Sequence, residues 1–210
     1  MSKKIFVAGI GPGDKSYITP AALEKILSAK ILIGGRRALK DFSQAGKEIF
    51  PITANLDAVI NFIREKILTD EVVVMVSGDP GYFSILDLLR KNFPPSIIEV
   101  IPSISAMQLA FAKLSLSWQS AKLLSFHGRR PPDEDLKFES KKIFGFLTDA
   151  EFNSATISKI LIELGWEKKS NLAICSRLSY PDEKIILTTL DAAQFSEPIK
   201  HCILLAGFEL

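Results

Sequence analysis

The first 114 residues alternate between two kinds of hydrophobic pattern. Residues 4–10 and 71–76 form nearly unbroken apolar runs, the second of them Glu-Val-Val-Val-Met-Val, as expected of strands covered on both faces. In residues 55–68, Leu56, Val59, Ile60, Ile63 and Ile67 recur close to the three-to-four-residue spacing that gives a helix one apolar face. The same reasoning predicts strands at 31–33, 48–52 and 97–101, and helices at 21–29, 36–42, 83–91 and 104–114. Thr19-Pro20 supplies an N-cap and a proline suited to a first helical turn. Strand and helix taken in turn predict the α/β class, with a mostly parallel sheet, helices on both faces and the 71–76 strand near its centre.

After residue 114 the pattern changes. Residues 115–119 carry weak periodicity and read as a linker, which places a boundary near Ser117 and divides the chain into two α/β domains, 1–116 and 117–210. The second is richer in strands, expected at 122–126, 143–147, 171–178, 184–188 and 201–208, with a helix at 154–164. The Arg-Pro-Pro-Asp-Glu-Asp stretch at 130–135 reads as an exposed loop or turn. Tyr180-Pro181-Asp182-Glu183, between two strand runs, reads as a hairpin turn, so the second sheet should be mixed and partly antiparallel. There is no internal repeat and no low-complexity segment.

Composition narrows the function classes. A chain of 210 residues with 47% hydrophobic residues is long and apolar enough for a real core, which argues against disorder. Its formal charge of +2 is too small to argue for nucleic acid as a partner. The longest apolar runs, 72–76 and 202–207, fall far short of the roughly 18 to 20 residues of a membrane span, so no membrane segment is expected. Met1-Ser2-Lys3-Lys4 leads directly into a strand without the features of a signal peptide, which predicts a cytoplasmic protein. Cys175 and Cys202 sit in apolar segments without ligand-type spacing and read as buried small hydrophobes. With only His127 and His201, no H-E-x-x-H and no C-x-x-C, no metal site is expected.

Candidate chemistry concentrates after the strands. Gly9-Ile10-Gly11-Pro12-Gly13-Asp14, Ser77-Gly78-Asp79-Pro80-Gly81 and Pro102-Ser103-Ile104-Ser105-Ala106 each follow a predicted strand, and an α/β sheet brings such strand ends to one crevice. The first is not a dinucleotide fingerprint: Pro12 removes an amide, and no helix opens until about Pro20. Nor is it a P-loop, because no Gly-Lys-Ser/Thr follows. It offers glycine backbone for close approach and a carboxylate at Asp14. Taken alone, Ser77–Gly81 is either a ligand loop or a strand-to-helix turn with an acidic cap. Arg36-Arg37 with Lys40, and His127 with Arg129-Arg130, are either anion sites or solvated basic faces. No G-x-S-x-G elbow occurs. So sparse an acid/base inventory suits a reaction that works by positioning two reactants, such as methyl transfer from a sulfonium donor.

These three motifs together resemble the tetrapyrrole methylase family along nearly the whole chain. Gly34-Gly35-Arg36-Arg37, Ser125-Phe126-His127-Gly128-Arg129 and Leu178-Ser179-Tyr180-Pro181-Asp182-Glu183 resemble its precorrin C(5)-methyltransferase branch, which acts in cobalamin synthesis. The resemblance implies S-adenosylmethionine held in a cleft between two α/β domains, with Ile10, Gly78, Asp79, Tyr82, Ser105, Ala106, Leu147, Thr148 and Leu178 lining its pocket. It implies a corrinoid substrate rich in carboxylates, met by Pro12, Arg36, Arg37 and Arg129. Asp14 either orients substrate, acts as a base or holds the glycine loop; His127 is either a proton-transfer group or a carboxylate binder. Ser176 stands where many relatives carry an acid. Relatives with a fused decarboxylating methyltransferase imply that here the C(15) activity belongs to a separate protein, with cobalt-precorrin-7 as substrate and cobalt as part of it. A homodimer is also implied. The alternatives are methylation of another carbon or substrate, and a non-catalytic module that holds cofactor or corrinoid.

Overall fold

The computed structural model describes residues 3–43 and 45–209. Its contacts divide the chain into two units, the first ending at Ser105 and the second beginning at Ala106.

The first unit is a five-stranded sheet of β1 (Ile5–Gly9), β2 (Ile31–Gly34), β3 (Glu48–Pro51), β4 (Val72–Val76) and β5 (Ile98–Ile101), in the order β3-β2-β4-β1-β5. Every pair is parallel, and β4 is the middle strand. Side chains alternate across the sheet, so its two faces need separate covers. Ile5, Val7, Val72 and Val74 pack with Val59, Ile60 and Ile63 of α3 (Leu56–Lys66) and Leu89 of α4 (Leu86–Asn92). Phe6, Ala8, Val73 and Met75 pack with Ala22 and Ile26 of α1 (Pro20–Ser28) and Leu39 and Phe42 of α2 (Arg36–Phe42). Helices therefore cover both faces, as the pattern predicts.

Local chemistry explains the helix ends. Thr19 accepts from the Ala22 amide (3.3 Å) with Pro20 at the first position, and Asn55 accepts from Ala58 (3.1 Å). The Lys47 ammonium donates to the carbonyls of Ile26, Leu27 and Ala29 at the end of α1 (3.0, 2.6 and 2.6 Å). The predicted helix at 83–91 starts only at Leu86, because Phe83 has φ +47°, a left-handed conformation that cannot enter a helix. Two single-turn 3-10 helices, Lys15–Tyr17 and Pro95–Ile97, are too short to show a period in sequence.

The second unit contains α5 (Ala106–Lys113), β6 (Lys122–Ser125), α6 (Asp133–Leu136), β7 (Phe144–Leu147), α7 (Ser154–Glu163), β8 (Asn171–Ser176), β9 (Lys184–Thr189), α8 (Leu190–Gln194) and β10 (Ile203–Ala206). Its sheet runs β6-β7-β10-β8-β9; only β6–β7 is parallel, so the sheet is mixed. Helix α5 packs on β7 and β10, which is why the division lies upstream of Ser117. Gly145 makes room for it, since a Cβ there would stand 2.6 Å from Met107 Sδ. The core is aromatic, built on Phe126, Phe144, Phe146 and Trp166.

Three expectations need correction here. The 130–135 stretch leads into a short helix, α6, whose Leu136 is fully buried and whose Leu136 carbonyl accepts the Trp166 indole N–H (2.7 Å). Strand β8 stops at Ser176, not 178, because Arg177 turns to φ +50°. Strand β10 is shorter than 201–208, bounded by His201 (φ +50°) and Gly207 (φ +81°). Helix α8, capped by Thr189, is five residues long and was invisible to periodicity.

Candidate functional site

In the first unit the three motifs meet at the carboxyl ends of β1, β4 and β5. The Ile10 amide continues the ladder by donating to Val76 O (2.9 Å), and the Gly78 amide donates to Gly11 O (2.8 Å). A Cβ on Gly9 would lie 2.6 Å from Ser103 Cβ, 2.7 Å from Gly78 O and 2.9 Å from Pro80 Cδ. Glycine at position 9 is what lets the three loops close on one another. Asp79 fastens them: Oδ1 accepts from the Gly81 amide (2.8 Å) and Oδ2 from the Ser103 amide (2.9 Å). Ser103 in turn donates through its hydroxyl to Tyr17 O (3.1 Å), and Thr19 to Pro102 O (3.4 Å).

Other expected residues attach to the same strand ends. Arg37 donates to the Ser77 hydroxyl (3.3 Å), so its guanidinium stands at the start of the second motif; Arg36, beside it in the first turn of α2, is exposed. Asp14 is exposed and accepts from the Ser16 amide (2.8 Å), capping a 3-10 turn; hydrogen bonding from the Ser16 side chain first, and then from that amide, holds its carboxyl below the usual range. Pro12 is partly buried in the glycine loop. The Tyr82 hydroxyl is buried and has no hydrogen-bond partner among the described residues, and burial pushes its ionisation upward. Ser105 is buried and closes this unit; Ala106 opens α5 of the next.

In the second unit, Leu147 ends β7. The buried Thr148 hydroxyl donates to Cys202 O (2.9 Å) and accepts from Cys202 N (2.8 Å), tying β7 to the entry of β10. Asp149 follows. Its Oδ1 accepts from the Glu151 and Phe152 amides (2.9 and 2.7 Å) and its Oδ2 from the Gly128 amide (2.8 Å). These bonds, with Gly128 first, and the nearby His127 pull its pKa down. His127 and Arg129 flank Gly128 and are exposed. Leu178 is buried between Arg177 and Ser179, both at positive φ. Glu183 accepts from the Ser179 amide (2.7 Å) and pairs with Lys113 (2.7 Å), Arg177 pairs with Asp182 (2.5 Å), and the Arg177 guanidinium lies 4.5 Å from the Tyr180 ring centre. The Tyr-Pro-Asp-Glu segment is thus the turn of a clamped β8–β9 hairpin.

Asp149 was not singled out in sequence; Ser77 and Glu183 were, but only as members of their motifs, without their roles as partner of Arg37 and as hairpin clamp. The one signal for Asp149 was its place directly after the Leu147-Thr148 pair at a strand end. Cys175 and Cys202 are buried, and burial pushes their thiols up to about 12 and about 11. Among the described residues no cluster of His, Cys, Asp and Glu could hold a metal ion, and no helix is long and apolar enough to cross a membrane.

The family model of the Tetrapyrrole (Corrin/Porphyrin) Methylases matches residues 4–194. A protein of Methanocaldococcus jannaschii named probable cobalt-precorrin-7 C(5)-methyltransferase is 30% identical over 193 residues, covering 89% of each chain. The Salmonella typhimurium cobalt-precorrin-7 C(5)-methyltransferase is 34% identical over 159 residues, 76% of this chain and 78% of that one. In fold, the chain matches the Thermus thermophilus uroporphyrin-III C-methyl transferase, solved with S-adenosylhomocysteine, at a TM-score of 0.76 and 19% identity, over 97% of this chain and 92% of that one. The chain belongs to the tetrapyrrole methylase family, within the branch that its C(5)-methyltransferase relatives mark.

Proposed function

We propose that the protein transfers the methyl group of S-adenosylmethionine to carbon 5 of a precorrin in cobalamin biosynthesis, with cobalt-precorrin-7 as substrate. What carries the reading is the meeting of three backbone-rich loops at the end of a parallel sheet, in a chain that matches proteins named for this reaction over most of its length. The residues fit such a donor: the Tyr82 hydroxyl, buried without a partner, is a polar group left for a ligand. S-Adenosylmethionine supplies an electrophilic methyl on a charged sulfur and is released as S-adenosylhomocysteine.

This chain's part is to hold and orient. Ile10, Gly78, Ser105, Ala106, Leu147 and Leu178 offer backbone and apolar contact to the cofactor. Asp79 and Thr148 have their side-chain oxygens engaged with the main chain, so they shape the pocket rather than grip its contents. Arg36, Arg37 and Arg129 meet the carboxylates of the tetrapyrrole, with Pro12 stiffening the adjoining loop. Two arginines at the amino end of α2 oppose its macrodipole, so helix stability does not account for them. Asp14 holds the glycine loop. The reading includes a homodimer and a separate decarboxylating C(15)-methyltransferase; light scattering tests the first.

Calorimetric titration with S-adenosylhomocysteine should saturate near one equivalent per chain, and incubation with S-adenosylmethionine and cobalt-precorrin-7 should add one methyl by mass spectrometry. Replacing Arg36 and Arg37 together with Ala should weaken tetrapyrrole binding and spare S-adenosylhomocysteine. Absence of binding and of methylation would overturn the reading.

A further inference from the structure

We propose that Asp149 is a positioning residue for the tetrapyrrole: through its Oδ2 bond to the Gly128 amide it sets the His127-Gly128-Arg129 loop, and so fixes where Arg129 meets a substrate carboxylate. The inference deepens the proposed function and rests on its assignment of Arg129 to the substrate.

The loop leaves β6 between two anchors. Below it, Phe126 is fully buried and its amide donates to Leu147 O (2.9 Å). At the next residue the His127 amide donates to the Ser125 hydroxyl (3.1 Å). Gly128 then takes φ +75°, where glycine alone is unstrained, and its amide points to Asp149 Oδ2 at 2.8 Å. The side chains on either side of Gly128 are exposed, and Arg130 is engaged by Asp133 (2.6 Å). The Asp149 carboxylate is therefore what ties the middle of this loop to the end of β7.

The same carboxylate also closes its own turn. Oδ1 serves the Glu151 and Phe152 amides, Oδ2 serves Gly128, and the Asp149 carbonyl accepts from the His201 amide (3.4 Å). This division of labour gives a selective substitution. In Asp149→Asn the amide oxygen keeps Glu151 and Phe152, while the NH2 group is brought against the Gly128 N–H, donor facing donor. The turn survives and the tie to the loop is cut.

The test is steady-state kinetics on the full chain with cobalt-precorrin-7, alongside calorimetry with S-adenosylhomocysteine. Asp149→Asn should raise KM about tenfold, lower kcat less than about threefold and leave the S-adenosylhomocysteine Kd within about twofold. Its effect should be non-additive with Arg129→Ala, because both remove the same contact. Gly128→Ala perturbs the loop independently: its Cβ would meet nothing within 4 Å, so only the backbone angle is strained, and it should reproduce the KM effect if Asp149→Asn fails to fold. Additive losses from Asp149→Asn and Arg129→Ala, or an unchanged KM in Asp149→Asn, would overturn the inference while leaving the methyltransferase reading intact. An Arg129→Ala protein with unchanged tetrapyrrole affinity would overturn both the inference and the substrate role assigned to that arginine.

Discussion

Removing the Asp79 carboxylate should loosen the first unit as well as its loops. Each oxygen accepts one main-chain amide, Gly81 at 2.8 Å and Ser103 at 2.9 Å, and the second bond joins the loop after β4 to the loop after β5. Hydrogen bonds to a charged acceptor contribute about 1.5–3 kcal/mol each. Asp79 is only partly buried, so water replaces some of that when the carboxylate is gone. Asp79→Ala should therefore cost about 2–4 kcal/mol, and Asp79→Asn, which keeps one acceptor and sets an NH2 against the other amide, about 1–2 kcal/mol. For a chain of this length that corresponds to Tm decreases of about 5–15 °C and about 2–8 °C. Differential scanning calorimetry checks the stability, and S-adenosylhomocysteine titration of the same samples checks the loops. Unchanged Tm in Asp79→Ala together with lost cofactor affinity would refute the clamp and make Asp79 a direct ligand instead.

Asp149 and Glu183 have carboxyls held below their ordinary values of 3.8 and 4.5, by the Gly128 amide and by Lys113 respectively. Their folded pKa values lie below the unfolded ones, so they stabilise the fold above about pH 5 and lose that contribution as the pH falls through the folded values. Urea midpoints should hold from pH 7 to about 5 and then decline toward pH 3 in the parent, less steeply in Asp149→Asn; parallel slopes below pH 5 would contradict the assignment. Cys175 and Cys202, with thiols pushed to about 12 and about 11, should resist iodoacetamide at pH 8 until urea unfolds the chain. Labelling of native protein by mass spectrometry would show that the second sheet opens. The kcat/KM profile should carry no limb above pH 5 from Asp14, Asp149 or Glu183, all held low; a limb there that Asp14→Asn abolishes would make Asp14 a base.

Most of the first unit was legible because its strands are buried on both faces and its helices have one apolar face. The run Val72–Val76 is central for the reason it looks central: every residue in it needs cover. The convergence of the glycine, Ser-Gly-Asp-Pro-Gly and Pro-Ser-Ile-Ser-Ala motifs was legible from their places after strands. What the sequence concealed is what each side chain does there. A carboxylate that grips a ligand and one that grips two amides are the same letter, and the two amide bonds that Asp79 makes are seen only in the structure. The misplaced element ends, in both units, share one cause. Arg177, His201 and Phe83 adopt positive φ at non-glycine positions, where no residue-type signal marks the end of an element. Helices α6 and α8 are too short to display a period, and α6 is held by Leu136 and Trp166, a contact between distant parts of the chain.

One physical pattern runs through both units. Asp14, Asp79, Asp149 and Glu183 each accept main-chain amides in a loop beside a strand end: Ser16, then Gly81 and Ser103, then Gly128, Glu151 and Phe152, then Ser179. Asp14, Asp149 and Glu183 are held below their usual values, chiefly by the Ser16 side chain, the Gly128 amide and Lys113 respectively, and a carboxylate so held is a poor proton acceptor. The acids in the motifs are thus placed to hold loops still, while Arg36 and Arg37 stand in the first turn of α2 and Arg129 follows Gly128. Methyl transfer depends heavily on such holding. The donor already carries a good leaving group, so the barrier that remains is largely that of bringing methyl and ring carbon into line, and holding two reactants in a reactive geometry is worth up to about 7–11 kcal/mol. A protein that catalyses in this way needs stiff loops more than it needs a general base, and stiff loops are what its carboxylates supply.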